Sequence, residues 1–130
     1  MTSWFNLAAI AIGGAAGSLC RYGVTLAAAA VPGGSNMLGT TIANVLGCAL
    51  LGALSALGPH DSESIERLTL ALRVGFLGSL TTFSTFAAES STLAGGGRWG
   101  ASATYVLANL VIGWLVLILA GNLVRGWIEA

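Results

Sequence analysis

The chain has 130 residues, 55% of them hydrophobic and 8% charged, with a formal net charge of zero. Ordinary soluble domains carry about 25% charged residues, so a deficit of that size points to lipid as the solvent. Five arginines balance five carboxylates and there is no lysine, which leaves no basic surface for nucleic acid and no polybasic membrane patch.

The first apolar run has no Lys or Arg before it, so the charged n-region of a secretory signal is missing and a retained first span over 4–30 is expected. Trp4 and Phe5 suit an interface. Gly13 and Gly17 form a GxxxG pair, which permits close helix approach and is also common in generic membrane packing. Arg21 in the last third of this span reads two ways, as a side chain snorkelling to the headgroups or as a cation at an anion entrance.

From Tyr22 to Pro59 there are 38 residues without a formal charge. One crossing needs about 20, so the run turns once, at Pro32-Gly33-Gly34, and a second span occupies 36–57. Gly39, Ala43 and Gly47 form a small-residue stripe, with Thr40, Asn44 and Cys48 on a neighbouring face. The Asn44 amide either donates to an anion or makes an interhelical hydrogen bond. Cys20 and Cys48 lie in apolar runs and read as small apolar residues rather than a disulfide or metal pair. Gly58 to Glu66 is the polar loop; its His60 has no second histidine to join in a metal or catalytic site.

The third span, 67–93, carries the stretch around which the chain is organised, Gly75–Phe86, GFLGSLTTFSTF. The uncharged run holding it, Val74 to Ala88, has 15 residues, and as a helix covers about 22 Å of a hydrocarbon core about 30 Å thick. Glycine weakens a helix, while Ser and Thr hydroxyls compete for its backbone groups. A short, Gly-interrupted apolar segment points to a broken helix and an ion site, where freed carbonyls could coordinate a small cation. Phe83 and Phe86, three apart, share one face; either they pack, or their electropositive edges turn toward an anion. After Gly95-Gly96-Gly97 the fourth span, 99–126, aligns Tyr105, Asn109 and Gly113 on a face that must meet protein or water.

Four spans put three arginines on one side (Arg67, Arg73, Arg125) and two on the other (Arg21, Arg98), almost no positive-inside bias. A chain without an orientation signal can insert both ways, and opposite copies can pair through glycine-lined helices. No nucleophile–base pair, paired carboxylates, phosphate loop or metal-ligand spacing is present, so an enzyme is not expected.

GFLGSLTTFSTFAAE, with Gly39-Thr40…Asn44…Gly47 and Gly17…Arg21, resembles the Fluc (CrcB) fluoride channels over essentially the whole chain. The resemblance implies an all-α membrane protein of the bacterial inner membrane, with four transmembrane helices per subunit, the third broken. It also implies an antiparallel dual-topology homodimer with two pores that passively exports cytoplasmic fluoride. Phe83 and Phe86 would line the pore beside Asn44, with Thr82, Ser84 and Thr85 near the ion path and Tyr105 and Asn109 on a polar track. Arg21 and Glu89 would belong to the vestibule and a pore end. Backbone carbonyls of Gly78 and Thr81 would hold a structural Na⁺ at the dimer interface. Ser79 stands where a second glycine is expected, and Asn109 where serine is frequent.

Rival readings are a small dual-topology multidrug or cation exporter and a structural membrane adaptor. The exporter needs a membrane-embedded carboxylate, and the first span holds none.

Overall fold

Apolar helices dominate because lipid offers backbone groups no hydrogen-bond partner, so each spanning segment must satisfy its own. The computed structural model describes residues 4–58 and 62–130, and no strand occurs among them. His60 and Asp61 lie outside the described residues. Helix α1 runs Trp4–Ala30 and α2 runs Asn36–Ala56. The third span comprises α3 (Glu63–Leu70), a π-helical stretch (Ala71–Leu77), α4 (Gly78–Leu80) and α5 (Phe83–Gly95). The fourth comprises α6 (Trp99–Leu107), a π-helical turn (Ala108–Ile112) and α7 (Gly113–Ile128). Each of the four is long and apolar enough to cross a membrane, and the chain is a multi-pass integral membrane protein.

The third helix starts at Glu63, ahead of Arg67, and so takes in part of the expected polar loop. Glu63 and Glu66 in its first turn face the positive end of the helix dipole, which favours this earlier start. Arg67 then ties the base of this helix to the start of α1. Its Nε donates to Asn6 Oδ1 at 3.3 Å, and its guanidinium lies 5.3 Å from the Phe5 ring centroid.

The turns are set by local chemistry. Gly33 takes φ +75°, a conformation costly for other residues, and Ser35 caps α2 by accepting from the Leu38 N–H. After α5, Gly97 takes φ +76° and the Arg98 N–H returns to the Leu93 carbonyl at 2.9 Å, a Schellman-type stop.

Packing depends on missing side chains. A Cβ on Gly17 would collide with the Phe76 carbonyl oxygen, and one on Gly13 with that of Ala71, so α1 lies directly on the π-helical stretch. On α2 a Cβ at Gly39 would meet Thr25 Cα at 2.6 Å, and one at Gly52 would strike Leu117 O of α7. A small core of Ala43, Leu77 and Leu80 closes between these elements, with Val24, Leu51, Leu54 and Phe76 around it. Most large apolar side chains face outward, as a lipid solvent permits; Trp4 and Trp127 at the chain ends are 84% and 85% exposed.

Helix propensity alone makes Gly→Ala favourable by about 1 kcal/mol. At Gly17 the carbonyl contact reverses that sign, because overpacking typically costs about 1–3 kcal/mol. Gly17→Ala is therefore expected to lower the melting temperature in detergent. Gly23→Ala, where the added methyl would meet nothing within 4 Å beyond the helix's own backbone and chain neighbours, should hold or raise it.

Candidate functional site

The third span leaves helical geometry after Leu80. Thr81 (φ −82°, ψ 153°) and Thr82 (φ −149°, ψ 114°) are extended, and helix resumes at Phe83. The last regular bond is Thr81 N–H to the Leu77 carbonyl at 3.1 Å. The Thr82 hydroxyl then caps α5, accepting from the Thr85 N–H at 3.3 Å and donating to Thr85 Oγ1 at 3.0 Å; Ser84 Oγ lies 3.5 Å away.

An extended residue at membrane depth exposes both its backbone groups, and Asn44 of α2 meets them. Its Oδ1 accepts from the Thr82 N–H at 2.8 Å, and its Nδ2 lies 3.4 Å from the Thr82 carbonyl. The side-chain amide thus stands in for the peptide group of a neighbouring strand. Gly47, one turn further along α2, admits the Thr81 methyl: a Cβ there would collide with Thr81 Cγ2.

Asn44 also connects to the fourth span. Its Nδ2 donates to Asn109 Oδ1 at 3.2 Å, and Asn109 Nδ2 donates to the Tyr105 carbonyl and to Thr41 Oγ1, both at 3.1 Å. Asn109 sits in the π-helical turn, a feature frequent at functional sites. Tyr105 donates its hydroxyl to Glu89 Oε2 at 2.5 Å, and the Thr40 hydroxyl lies 3.2 Å from Glu89 Oε1. The rings of Phe83, Phe86 and Tyr105 follow one another at centroid spacings of 5.6 Å and 5.5 Å, tilted by 58° and 47°.

A cleft of about 320 Å³ gathers much of this set: Asn44, Thr82, Phe83, Phe86 and Asn109 line it, as do Gly78 and Thr81. Phe86 is 6% exposed, whereas Phe83 is 74% exposed on the open side. Thr85 and Ser84 touch the cleft only through Thr82. Tyr105 and Glu89 form a separate station beyond Phe86. Arg21, on α1, is not part of the lining, and its buried Nε has no hydrogen-bond partner within the chain.

Two carbonyls named from the sequence resemblance have lost their helical donors. The Thr82 N–H, which an uninterrupted helix would direct to Gly78, goes to Asn44; the Thr85 N–H, due to Thr81, goes to Thr82 Oγ1. Backbone oxygens of this kind suit a hard monovalent cation. Among the described residues no group of three or more His, Cys, Asp or Glu could hold a metal.

Arg73 is a site residue the sequence did not single out. It lines the cleft and donates to Ser55 Oγ at 3.1 Å, so a cation stands at one end of an otherwise neutral polar lining. Its four-residue spacing with Leu77 and Thr81 was the available signal. Thr41 was also missed, because a lone threonine gives no clue that it supports Asn109.

Together these features define a class: a polytopic α-helical membrane protein with neutral donors and aromatic rings converging beside freed carbonyls. Within that class the chain belongs to the CrcB-like protein, Camphor Resistance (CrcB) family, which matches residues 8–122. It is 38% identical to the fluoride-specific ion channel FluC of Rhodopirellula baltica, an alignment covering 98% of this chain and 99% of that one. It is 39% identical to FluC of Chloroflexus aurantiacus and 40% identical to FluC of Shewanella oneidensis, each over 92% of this chain and 95% of the relative. These relatives are named ion channels, not enzymes.

Removing the Asn44 side chain strands the Thr82 N–H, at a cost of about 1–3 kcal/mol. Asn44→Leu should lower the melting temperature in detergent and raise hydrogen exchange at the Thr82 amide. Asn44→Asp, which keeps an acceptor, should retain more of that protection.

Proposed function

We propose that this protein is a fluoride-selective ion channel that passively exports cytoplasmic fluoride, working as an antiparallel dual-topology homodimer with two pores. The observation that carries this reading is the convergence of the Asn44 amide with the rings of Phe83 and Phe86 on one cleft beside extended Thr81 and Thr82. The names of the relatives supply the ion.

Fluoride is small and strongly hydrated, so a pore must replace its water with closely spaced donors. The Asn44 N–H, the Thr82, Ser84 and Thr85 hydroxyls and the positive ring edges do this without a fixed positive charge at mid-depth. Several weak sites in succession also let the ion leave. Arg21 and Arg73 concentrate anions near the ends of the route, and Tyr105 and Asn109 continue the polar track. Glu89 closes one end, held by Tyr105 and Thr40.

The dimer follows from the near-absent orientation signal and from the cleft, which is open on the side where Phe83 is exposed; a second copy inserted the other way would cover it. In this reading the interruption at Thr81–Thr82 is the functional break of the third helix, and the Gly78 and Thr81 carbonyls hold a structural Na⁺ between subunits. When bound, that ion raises the local potential in favour of an anion. The cation-exporter alternative has no observation in its favour: both Glu89 oxygens are hydrogen-bonded and neither lines the cleft.

Purified protein in liposomes is expected to release loaded fluoride, read with a fluoride electrode, while chloride stays inside. Equal chloride release would overturn the reading. Phe83→Ile removes an aromatic edge from the cleft together with its pairing to Phe86, a pairing worth about 0.5–1.5 kcal/mol, and should cut fluoride flux by about two- to tenfold while the dimer survives on size exclusion.

A further inference from the structure

A primary amide has two N–H donors and one acceptor oxygen, and the partners of Asn44 and Asn109 dictate which way each turns. The Thr82 N–H can only donate, so Asn44 directs its oxygen there, at 2.8 Å. Its NH₂ then faces the Thr82 carbonyl at 3.4 Å and Asn109 Oδ1 at 3.2 Å. The Tyr105 carbonyl can only accept, so Asn109 directs its NH₂ to it. Thr41 uses its one proton on the Met37 carbonyl at 3.0 Å, and its oxygen is left to accept the second Asn109 N–H. Asn109 Oδ1 therefore has one direction available, toward Asn44.

Both N–H groups of Asn44 are thus occupied when no anion is present. The Thr82 carbonyl is held by the backbone, whereas Asn109 Oδ1 is held in place only by two neutral side-chain hydrogen bonds, to the Tyr105 carbonyl and Thr41 Oγ1 at 3.1 Å each, and can yield by a small rotation. We propose that Asn109 is the resting acceptor for the Asn44 amide, yielding that donor when fluoride arrives and thereby setting the fluoride affinity of the pathway. This rests on the fluoride-channel reading above.

The physical basis is a difference in bond strength. Asn44 is half-buried, and an N–H turned away from water and left unpaired is costly, so a neutral acceptor in residence keeps it satisfied between ions. Hydrogen bonds to an ionised acceptor are roughly twice as strong as neutral ones, so fluoride displaces Oδ1. Each binding event nevertheless gives up the Asn44–Asn109 bond, which weakens retention and helps the ion leave. A serine at 109 would place its oxygen one bond nearer the backbone and would tend to bond back to the carbonyl four residues earlier. It would not compete for Asn44 in the same way, so this chain should bind fluoride more weakly than its own Asn109→Ser variant.

The test is fluoride efflux from liposomes, measured across fluoride concentrations for wild type, Asn109→Ser, Thr41→Val and the double variant. Removing one neutral competing hydrogen bond, about 1 kcal/mol, is expected to lower the half-saturating fluoride concentration about fivefold in Asn109→Ser. Thr41→Val, which loosens Asn109 without removing it, should shift it the same way by less. The double variant should go no further than Asn109→Ser alone, a coupling that general loosening of the helices would not produce. Unchanged or raised half-saturation in Asn109→Ser, with wild type conducting, overturns the inference; should that variant fail to fold, unchanged half-saturation in Thr41→Val does so. A wild type that carries no fluoride overturns the channel reading itself.

Discussion

The hydrogen bond from the Thr82 N–H to Asn44 Oδ1, 2.8 Å long and placed where lipid can offer no substitute, is the contact on which the rest of the molecule depends. A membrane span can leave helical geometry only if something else satisfies the backbone groups it releases. Here a single amide on α2 takes up the donor and stands beside the acceptor of the extended residue. The Thr82 hydroxyl meanwhile starts the next helix. The same side chain that makes the extended pair tolerable is therefore also one of the polar groups that line the cleft.

Bringing that amide into register requires helices to approach closely. Gly13 and Gly17 let α1 lie against the carbonyls of Ala71 and Phe76, and Gly47 makes room for the Thr81 methyl. The π-helical stretches belong to the same compromise. The one over Ala71–Leu77 lies under α1 just before the extended pair, and the one over Ala108–Ile112 delivers buried Asn109 to Asn44 and Thr41. With lipid as solvent, no hydrophobic penalty gathers the large side chains inward. Most point out, and the interior is left to glycine, alanine, a few buried side chains such as Leu77, Leu80 and Phe86, and a connected polar network.

That network is directional. Donors whose orientation the backbone fixes, the Thr82 N–H and the Thr41 hydroxyl on Met37, settle the orientation of every amide between them. It continues through Tyr105 to Glu89, whose two oxygens are engaged from the second and fourth spans. Around Asn44 the lining is neutral and hydrogen-bonded, and such groups can exchange partners with an anion at modest cost, where a fixed positive charge at the same point would trap it.

By itself the sequence determined what one-dimensional patterns control. Charge scarcity and run lengths determined the solvent, the span count and, to within a few residues, the turns at Gly33 and Gly97. The residue types of GFLGSLTTFSTF marked where regular helix would be weakest. Four-residue spacing grouped Tyr105 with Asn109 and Thr40 with Asn44. Tertiary structure decided which residues of that segment became extended and which atoms faced one another, because those depend on what the neighbouring helices supply. Nothing local to Thr82 specifies that Asn44, 38 positions earlier, takes its N–H. Equally, nothing local to Arg73 sets it on the cleft beside Ser55, or to Thr41 makes it the support of Asn109. Hydrogen bonds between spans are set by the distance and rotation of packed helices, and these are properties of the assembled bundle.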